Sequence, residues 1–216
     1  MFRTVFRSSV WLILALAGQH AMAENFPIAA AGTEGLHITV AHTGTVVATF
    51  QGNSAWNNNT LFLMLDANGK PGADKNLSND LAIFNNKVTP VGTSVRLGTF
   101  QAGTELVFRL QTVAWQDGRS TLEFYSGDAS RNPDAVTHAR VQTNWRQGTT
   151  LVSFEDLYRG PFNYNDMSFS FTNTVAAPVP EAPPAVLMTL GLGAVAPFLR
   201  RRRADAKKKK ASCLAV

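Results

Sequence analysis

The chain has 216 residues, of which 45% are hydrophobic and 16% are charged, and its formal net charge is +5. Between residues 24 and 180, however, 13 acidic residues outnumber 10 basic ones, so the positive charge lies near the ends of the chain. This balance argues against a nucleic-acid partner for the central region. The only cysteine is Cys213, which excludes disulfides and thiolate metal sites from the same region.

Residues 1–23 are typical of a secretory signal peptide. Arg3 and Arg7 supply the positive start, residues 10–17 (VWLILALA) the apolar core, and residues 21–23 (AMA) a small-residue cleavage site. The apolar run is too short to span a bilayer, which disfavours a membrane anchor as the alternative. We predict cleavage after Ala23 and export of the remainder.

Short runs rich in β-branched and aromatic residues follow, separated by Gly, Pro, Asn and Asp. Residues 36–50 are broken at Gly44 and predict two strands or a hairpin. Further strands are predicted at residues 61–65, 81–84, 94–100, 105–110, 121–125, 137–142, 151–155 and 167–172. We therefore predict an all-β domain over residues 24–174, an antiparallel β-sandwich or jelly roll.

The composition changes after Thr174. Residues 175–184 (VAAPVPEAPP) predict an extended Pro-rich linker that cannot join a sheet. Residues 185–199 are apolar; as a helix they reach about 22 Å against a hydrocarbon core of about 30 Å, and flanking arginines can extend the reach. We predict a single transmembrane helix here that anchors the chain in the inner membrane, followed by a basic cytoplasmic tail at residues 200–216.

A tripeptide, an apolar segment and an arginine cluster occur in that order near the C-terminus. They comprise Val179, Pro180 and Glu181, then residues 185–199, then Arg200, Arg201, Arg202 and Arg203. This order resembles the sorting signal of PEP-CTERM proteins, which are exported by Gram-negative bacteria that carry an exosortase. The resemblance implies recognition by that membrane-bound sorting protease, cleavage near Pro180 and Glu181, and delivery to the cell surface or extracellular matrix. Ala182 stands where the family commonly has Pro.

The predicted domain resembles an uncharacterised β-rich family that is common among those exported proteins. The matching segments are residues 91–93, 102–106, 124–127, 130–134, 138–139, 154–157 (FEDL) and 164–166 (YND). The resemblance implies a surface or adhesion-like protein that binds calcium and has no established catalytic activity. Asn163 stands where the family often has Asp, which removes one charge from the expected site.

The strands at residues 151–155 and 167–172 bring several oxygen-bearing side chains to one loop. We predict a Ca²⁺ site there, because calcium takes six to eight oxygen ligands from flexible loops. Its predicted ligands are Glu155, Asp156, Asn165 and Asp166, with Asn132 and Asp134 added from a neighbouring loop. The alternative is turn capping, since Asp and Asn side chains also bond to nearby backbone N–H groups. Glu155 and Asp156 can face one ion only if the strand has already ended.

Two other functions remain as alternatives to a structural or adhesive role at the cell surface. The first is a carbohydrate-binding module that stacks surface polysaccharide on Trp56, Trp115 and Trp145. The second is a glycoside hydrolase that uses carboxylates such as Glu105, Glu123 and Glu155. The sequence contains no nucleophile elbow, H-E-x-x-H helix, P-loop or dinucleotide fingerprint. We therefore expect a protein without enzymatic activity.

Overall fold

The computed structural model describes residues 25–116 and 118–178 of the chain. The predicted signal peptide, the sorting motif (Val179, Pro180, Glu181 and the arginine cluster) and the predicted transmembrane helix lie outside the described residues. Within residues 25–116 and 118–178, no helix is long and apolar enough to cross a membrane.

The described part of the chain contains eleven strands. They are β1 (His37–Val40), β2 (Gly44–Gly52), β3 (Asn58–Leu63), β4 (Leu81–Asn85), β5 (Ser94–Phe100), β6 (Phe108–Val113), β7 (Thr121–Tyr125), β8 (Ala139–Arg146), β9 (Thr149–Phe154), β10 (Met167–Thr172) and β11 (Thr174–Ala177). A 3-10 turn at Ala129–Arg131 lies between β7 and β8. The prediction of an all-β fold is confirmed, and the strands at 94–100, 121–125 and 167–172 have the predicted bounds.

The strands form three antiparallel sheets. A five-stranded sheet has the order β5-β2-β10-β9-β8, and a four-stranded sheet has the order β4-β3-β6-β7. The terminal strands β1 and β11 pair with each other, and His37 lies opposite Ala177 in their register. The five-stranded sheet therefore joins early and late parts of the chain, because β2 lies between β5 and β10.

The core lies between the two larger sheets, as in a β-sandwich. Phe108 on β6 contacts Phe171 on β10, with ring centroids 4.4 Å apart, and Phe50 on β2 contacts Phe84 on β4 at 5.7 Å. Alternation along each strand supplies these side chains, since successive residues point to opposite faces of a sheet. In β3, for example, Asn59, Leu61 and Leu63 all face inward and are buried.

Of the two alternatives predicted for residues 36–50, two separate strands are confirmed and the hairpin does not form, because β1 pairs with β11 and β2 pairs with β5 and β10. Other predicted bounds are wrong. The strand predicted at 105–110 begins only at Phe108. The predicted linker begins too early, since residues 175–177 belong to β11; the first proline of the segment is Pro178, so the backbone before it remains able to pair.

Candidate metal centre and the adjoining cavity

Three carboxylates meet where β9 and β10 join their connecting loop. β9 ends at Phe154, so Glu155 and Asp156 lie beyond the strand and are not held on opposite faces. Asp166 immediately precedes β10. One oxygen from each of Glu155, Asp156 and Asp166, here called the acid trio, lies within 4.8 Å of the other two. All three residues are buried, with exposed fractions of 1%, 3% and 8%.

Glu155 organises the loop that follows it. Its carboxylate accepts hydrogen bonds from the backbone N–H groups of Leu157, Asn163 and Tyr164, at 3.2, 2.8 and 3.2 Å. Tyr164 has a backbone φ of 56°, and its hydroxyl donates a hydrogen bond to the backbone oxygen of Thr137 at 3.0 Å. The loop is therefore folded around the carboxylate, which holds the acid trio in place.

Three ionised carboxylates would be unfavourable in this buried position. Burial raises the pKa of Asp166 to about 9, and the charge of Asp156 and a hydrogen bond to Glu155 act in the same direction. Burial also raises the pKa of Asp156, although a hydrogen bond from Asn59 opposes that change. At neutral pH the trio therefore holds a proton unless a cation takes its place.

A buried asparagine on β3 completes this cluster. The amide nitrogen of Asn59 donates to Asp156 Oδ2 at 2.7 Å, and its oxygen has no hydrogen-bond partner within the described part of the chain. A half-turn of the amide would exchange these two atoms and direct the oxygen toward the carboxylates. The oxygen would repel a bare carboxylate but would bind a hard cation held there, which takes neutral oxygen ligands. The residues present therefore fit a calcium ion.

The other predicted ligands have different positions. Asn165 immediately precedes Asp166, and its backbone oxygen accepts hydrogen bonds from the backbone N–H and the hydroxyl of Ser54. The side-chain oxygen of Asn163, which stands in the Asp position of the resembling family, accepts the backbone N–H of Asn165 at 3.2 Å. Asn163 therefore stabilises a turn in the loop.

Asn132 and Asp134 do not join the acid trio. Asn132 exchanges hydrogen bonds with the backbone of Tyr125 and also donates to Val136, so its amide fastens the loop before β8. Asp134 contacts His138 Nε2 at 3.1 Å and accepts the N–H of Arg159 at 2.9 Å.

The charge state of Asp134 follows from these contacts. Burial opposes its ionisation, but the N–H groups of Arg159 and Val136 and the His138 ring hold the pKa of this carboxyl below its usual value. The other ring nitrogen of His138 lies 3.0 Å from the backbone oxygen of Glu155. Asp134 therefore bonds to residues near the trio but supplies no oxygen to it.

A cavity of about 460 Å³ adjoins the trio, and Asp156 and Asp166 form part of its wall. Trp56 and Trp115 line it together, with ring centroids 5.8 Å apart and ring planes tilted by 42°. Both rings remain exposed, at 75% and 59%. Tyr158 also lines this space, which we call the aromatic cavity.

The remaining predicted residues lie away from the cavity. Trp145 is on β8, where the guanidinium of Arg146 lies 4.2 Å from the centre of its ring. Of the carboxylates suggested for a hydrolase, Glu105 pairs with Arg131 at 2.8 Å, and Glu123 pairs with Arg109 at 2.7 Å. Each of these two is held in an ion pair of its own.

Two buried polar residues escaped the sequence-based prediction. Asn59 on β3 and Thr112 on β6 lie directly opposite each other in register. Asn59 lies on the same face of β3 as Leu61 and Leu63, and Thr112 lies on the same face of β6 as Phe108 and Leu110. A polar residue in phase with a core-facing row is the signal that could have identified both, because an unpaired buried polar group is costly.

Comparison with models of protein families, with curated proteins and with solved structures finds no significant match to this chain.

Proposed function

We propose that this chain is an exported cell-surface or matrix protein without catalytic activity, whose β-sandwich is stabilised at one end by calcium. The observation that carries the proposal is the acid trio. Three buried carboxylates within 4.8 Å of one another repel unless a proton or a cation lies between them. The orphan oxygen of Asn59 favours the cation, since a half-turn of the amide would direct it toward the trio as a further oxygen ligand.

Calcium in this site would join three separate parts of the fold. Glu155 and Asp156 follow β9, Asp166 precedes β10, and Asn59 lies on β3 of the opposite sheet. A shared cation would therefore fasten the two sheets to each other at this end. Such a role suits a domain without disulfides, since its only other stabilisation comes from the packed core and its polar contacts.

Export and sorting form the second part of the proposal. The signal-like residues 1–23 and the order of Val179, Pro180, Glu181, the apolar residues 185–199 and Arg200 to Arg203 support it. The chain would be anchored in the inner membrane during sorting, would be cleaved by an exosortase-type protease, and would then reach the surface or matrix. There its role would be structural or adhesive.

Thermal unfolding with calcium and with chelator tests the metal site. We expect millimolar calcium to raise the Tm of the purified protein by about 5–10 °C, the stabilisation given by a ligand near 100 times its Kd. Asp166→Asn removes one charged ligand while keeping the shape of the side chain, so the increment should largely vanish.

Asp134→Asn is the matched control, because Asp134 lies outside the trio. This variant should have a lower Tm but should keep the calcium-dependent increment. The metal proposal is overturned if calcium leaves the wild-type Tm unchanged, or if Asp166→Asn keeps the full increment.

A further inference from the structure

The two most exposed large hydrophobic side chains that line the aromatic cavity are Trp56 and Trp115. Exposed tryptophans are costly in water, and a cluster of them at a concave site marks a place where a ligand binds. Leu157 and Tyr158, which are 42% and 43% exposed, lie on the same lining. The wall of the aromatic cavity therefore carries four exposed apolar side chains beside the acid trio.

The arrangement of the two tryptophans limits what can bind. Their ring centroids are 5.8 Å apart, which is the distance of two aromatic rings in direct contact. No cationic group fits between them, so they do not form a cage for a quaternary ammonium ion. Because their planes are tilted by 42°, they form an angled platform: a partly apolar ligand can stack on the face of one ring and contact the other ring with its edge.

The polar part of the lining limits the ligand further. Asp156, Asp166 and Asn57 offer oxygen atoms, and Thr112, which is 2% exposed, has a hydroxyl without a hydrogen-bond partner in the described chain. An apolar ligand would leave the Thr112 hydroxyl without a partner. No Lys, Arg or His occurs among the described residues that line the cavity, so an anionic ligand would face only repulsion.

A sugar ring meets both requirements, because it has an apolar face of C–H groups and a rim of hydroxyls that donate and accept hydrogen bonds. We propose that the aromatic cavity binds neutral carbohydrate, with Trp56 and Trp115 as the stacking platform and Asn57 and Thr112 as partners for hydroxyl groups. This inference goes beyond the calcium-stabilised surface role and does not rest on it, since the two tryptophans, Asn57 and Thr112 all lie outside the trio.

Isothermal titration of the purified protein with neutral tetrasaccharides (cellotetraose, maltotetraose and mannotetraose) tests the proposal. We expect at least one of them to bind, and Trp115→Ala and Trp56→Ala each to weaken binding about tenfold or more, as loss of a central aromatic contact does. Trp145→Ala is the matched control and should change the affinity by less than about twofold, because Trp145 lies on β8 outside the cavity.

Thr112→Val supplies a second readout. Valine has the shape of threonine without its unpartnered hydroxyl, so a merely structural role predicts an unchanged or higher Tm and unchanged affinity. A hydroxyl that bonds to the sugar predicts the same Tm behaviour with a severalfold weaker affinity. Unchanged affinity in this variant and in both cavity tryptophan variants overturns the proposal.

Titrations with two further ligands, and with or without calcium, distinguish a neutral-sugar site from other kinds of ligand site and from the metal site. Trigalacturonate, which is anionic, should bind more weakly than the neutral sugars, and choline should not bind. Absence of binding by every neutral tetrasaccharide at millimolar concentration, or binding of choline in their place, overturns the proposal. Each titration is run with calcium and with chelator. A calcium-dependent Tm increment that persists without any sugar binding overturns the carbohydrate site alone and leaves the metal site intact.

Discussion

Asp166 has the most perturbed environment of the carboxylates in the described chain. It is buried beside Asp156 and Glu155, and its pKa is raised to about 9. The unfolded chain releases the same proton near pH 4, so between about pH 4 and pH 9 the unfolded state binds fewer protons than the folded state. The stability that this group contributes is fully present below pH 4 and is lost as the pH rises toward 9.

We therefore predict that the metal-free protein becomes less stable between pH 5 and pH 9. Urea unfolding in chelator should give a free energy of unfolding that falls across this window, by at most about 1.4 kcal/mol per pH unit for each group. Asp166→Asn removes the titrating group, so the variant should show a shallower decline. An equal slope in both proteins would show that Asp166 does not control the decline.

The sequence predicted part of this site for a simple reason. Glu155, Asp156 and Asp166 flank a loop between two neighbouring strands, so their proximity follows from a local hairpin. Asn59 comes from a strand 97 residues away from Asp156, and only the packing of the two sheets brings them together. Asn132 and Asp134 belong to a loop with its own backbone contacts, which the alternation of residues cannot reveal.

The side chain of Arg109 contacts residues on or beside the other three strands of the four-stranded sheet. It lies on β6 and is buried, and its guanidinium donates to Asp80 at 2.8 Å before β4 and to Glu123 at 2.7 Å on β7. The same group lies 4.1 Å from the ring centre of Phe62 on β3. Because Arg109 lies between Phe108 and Leu110, alternation predicts that its side chain points away from the core. Only the structure shows the partners of that side chain.

We predict that Arg109→Met destabilises the protein by about 3–5 kcal/mol, because it leaves the carboxylate of Asp80 buried without its partner. The loss can be measured by urea unfolding at fixed pH. Arg96→Met is the matched control, since Arg96 is exposed on β5 and bonds only to threonine hydroxyls in the described chain. It should cost less than about 1 kcal/mol. Equal losses in the two variants would contradict a special role for Arg109.

The strand predictions succeeded where alternation was strong and failed where pairing decided the outcome. Met167, Phe169 and Phe171 alternate with Ser168 and Ser170, and β10 has the predicted bounds. β11 carries no comparable pattern, and it becomes a strand because β1 is available to pair with it. Pairing between residues so far apart in sequence has no local signature, which is why the segment reads as a linker.

The proposed sorting signal leads to a prediction about cellular fate. In a bacterium that carries an exosortase, Glu181→Ala should reduce cleavage, so the uncut chain should accumulate in the inner membrane. Ala182→Pro introduces the residue that is common in the PEP-CTERM family and should increase the cleaved fraction. Immunoblots of membrane and surface fractions measure both. Equal processing of all three chains would contradict sorting through this motif.

The pairing of β1 with β11 has a mechanical consequence. The strand β11 ends at Ala177, which lies opposite His37 at the start of β1. A pull on the C-terminal end would load the pair at Ala177 first and would peel β11 from β1 one residue at a time toward Thr174. Force arriving through a tether would thus be absorbed by a short terminal strand, while β2, β9 and β10 and the carboxylates between them stay folded.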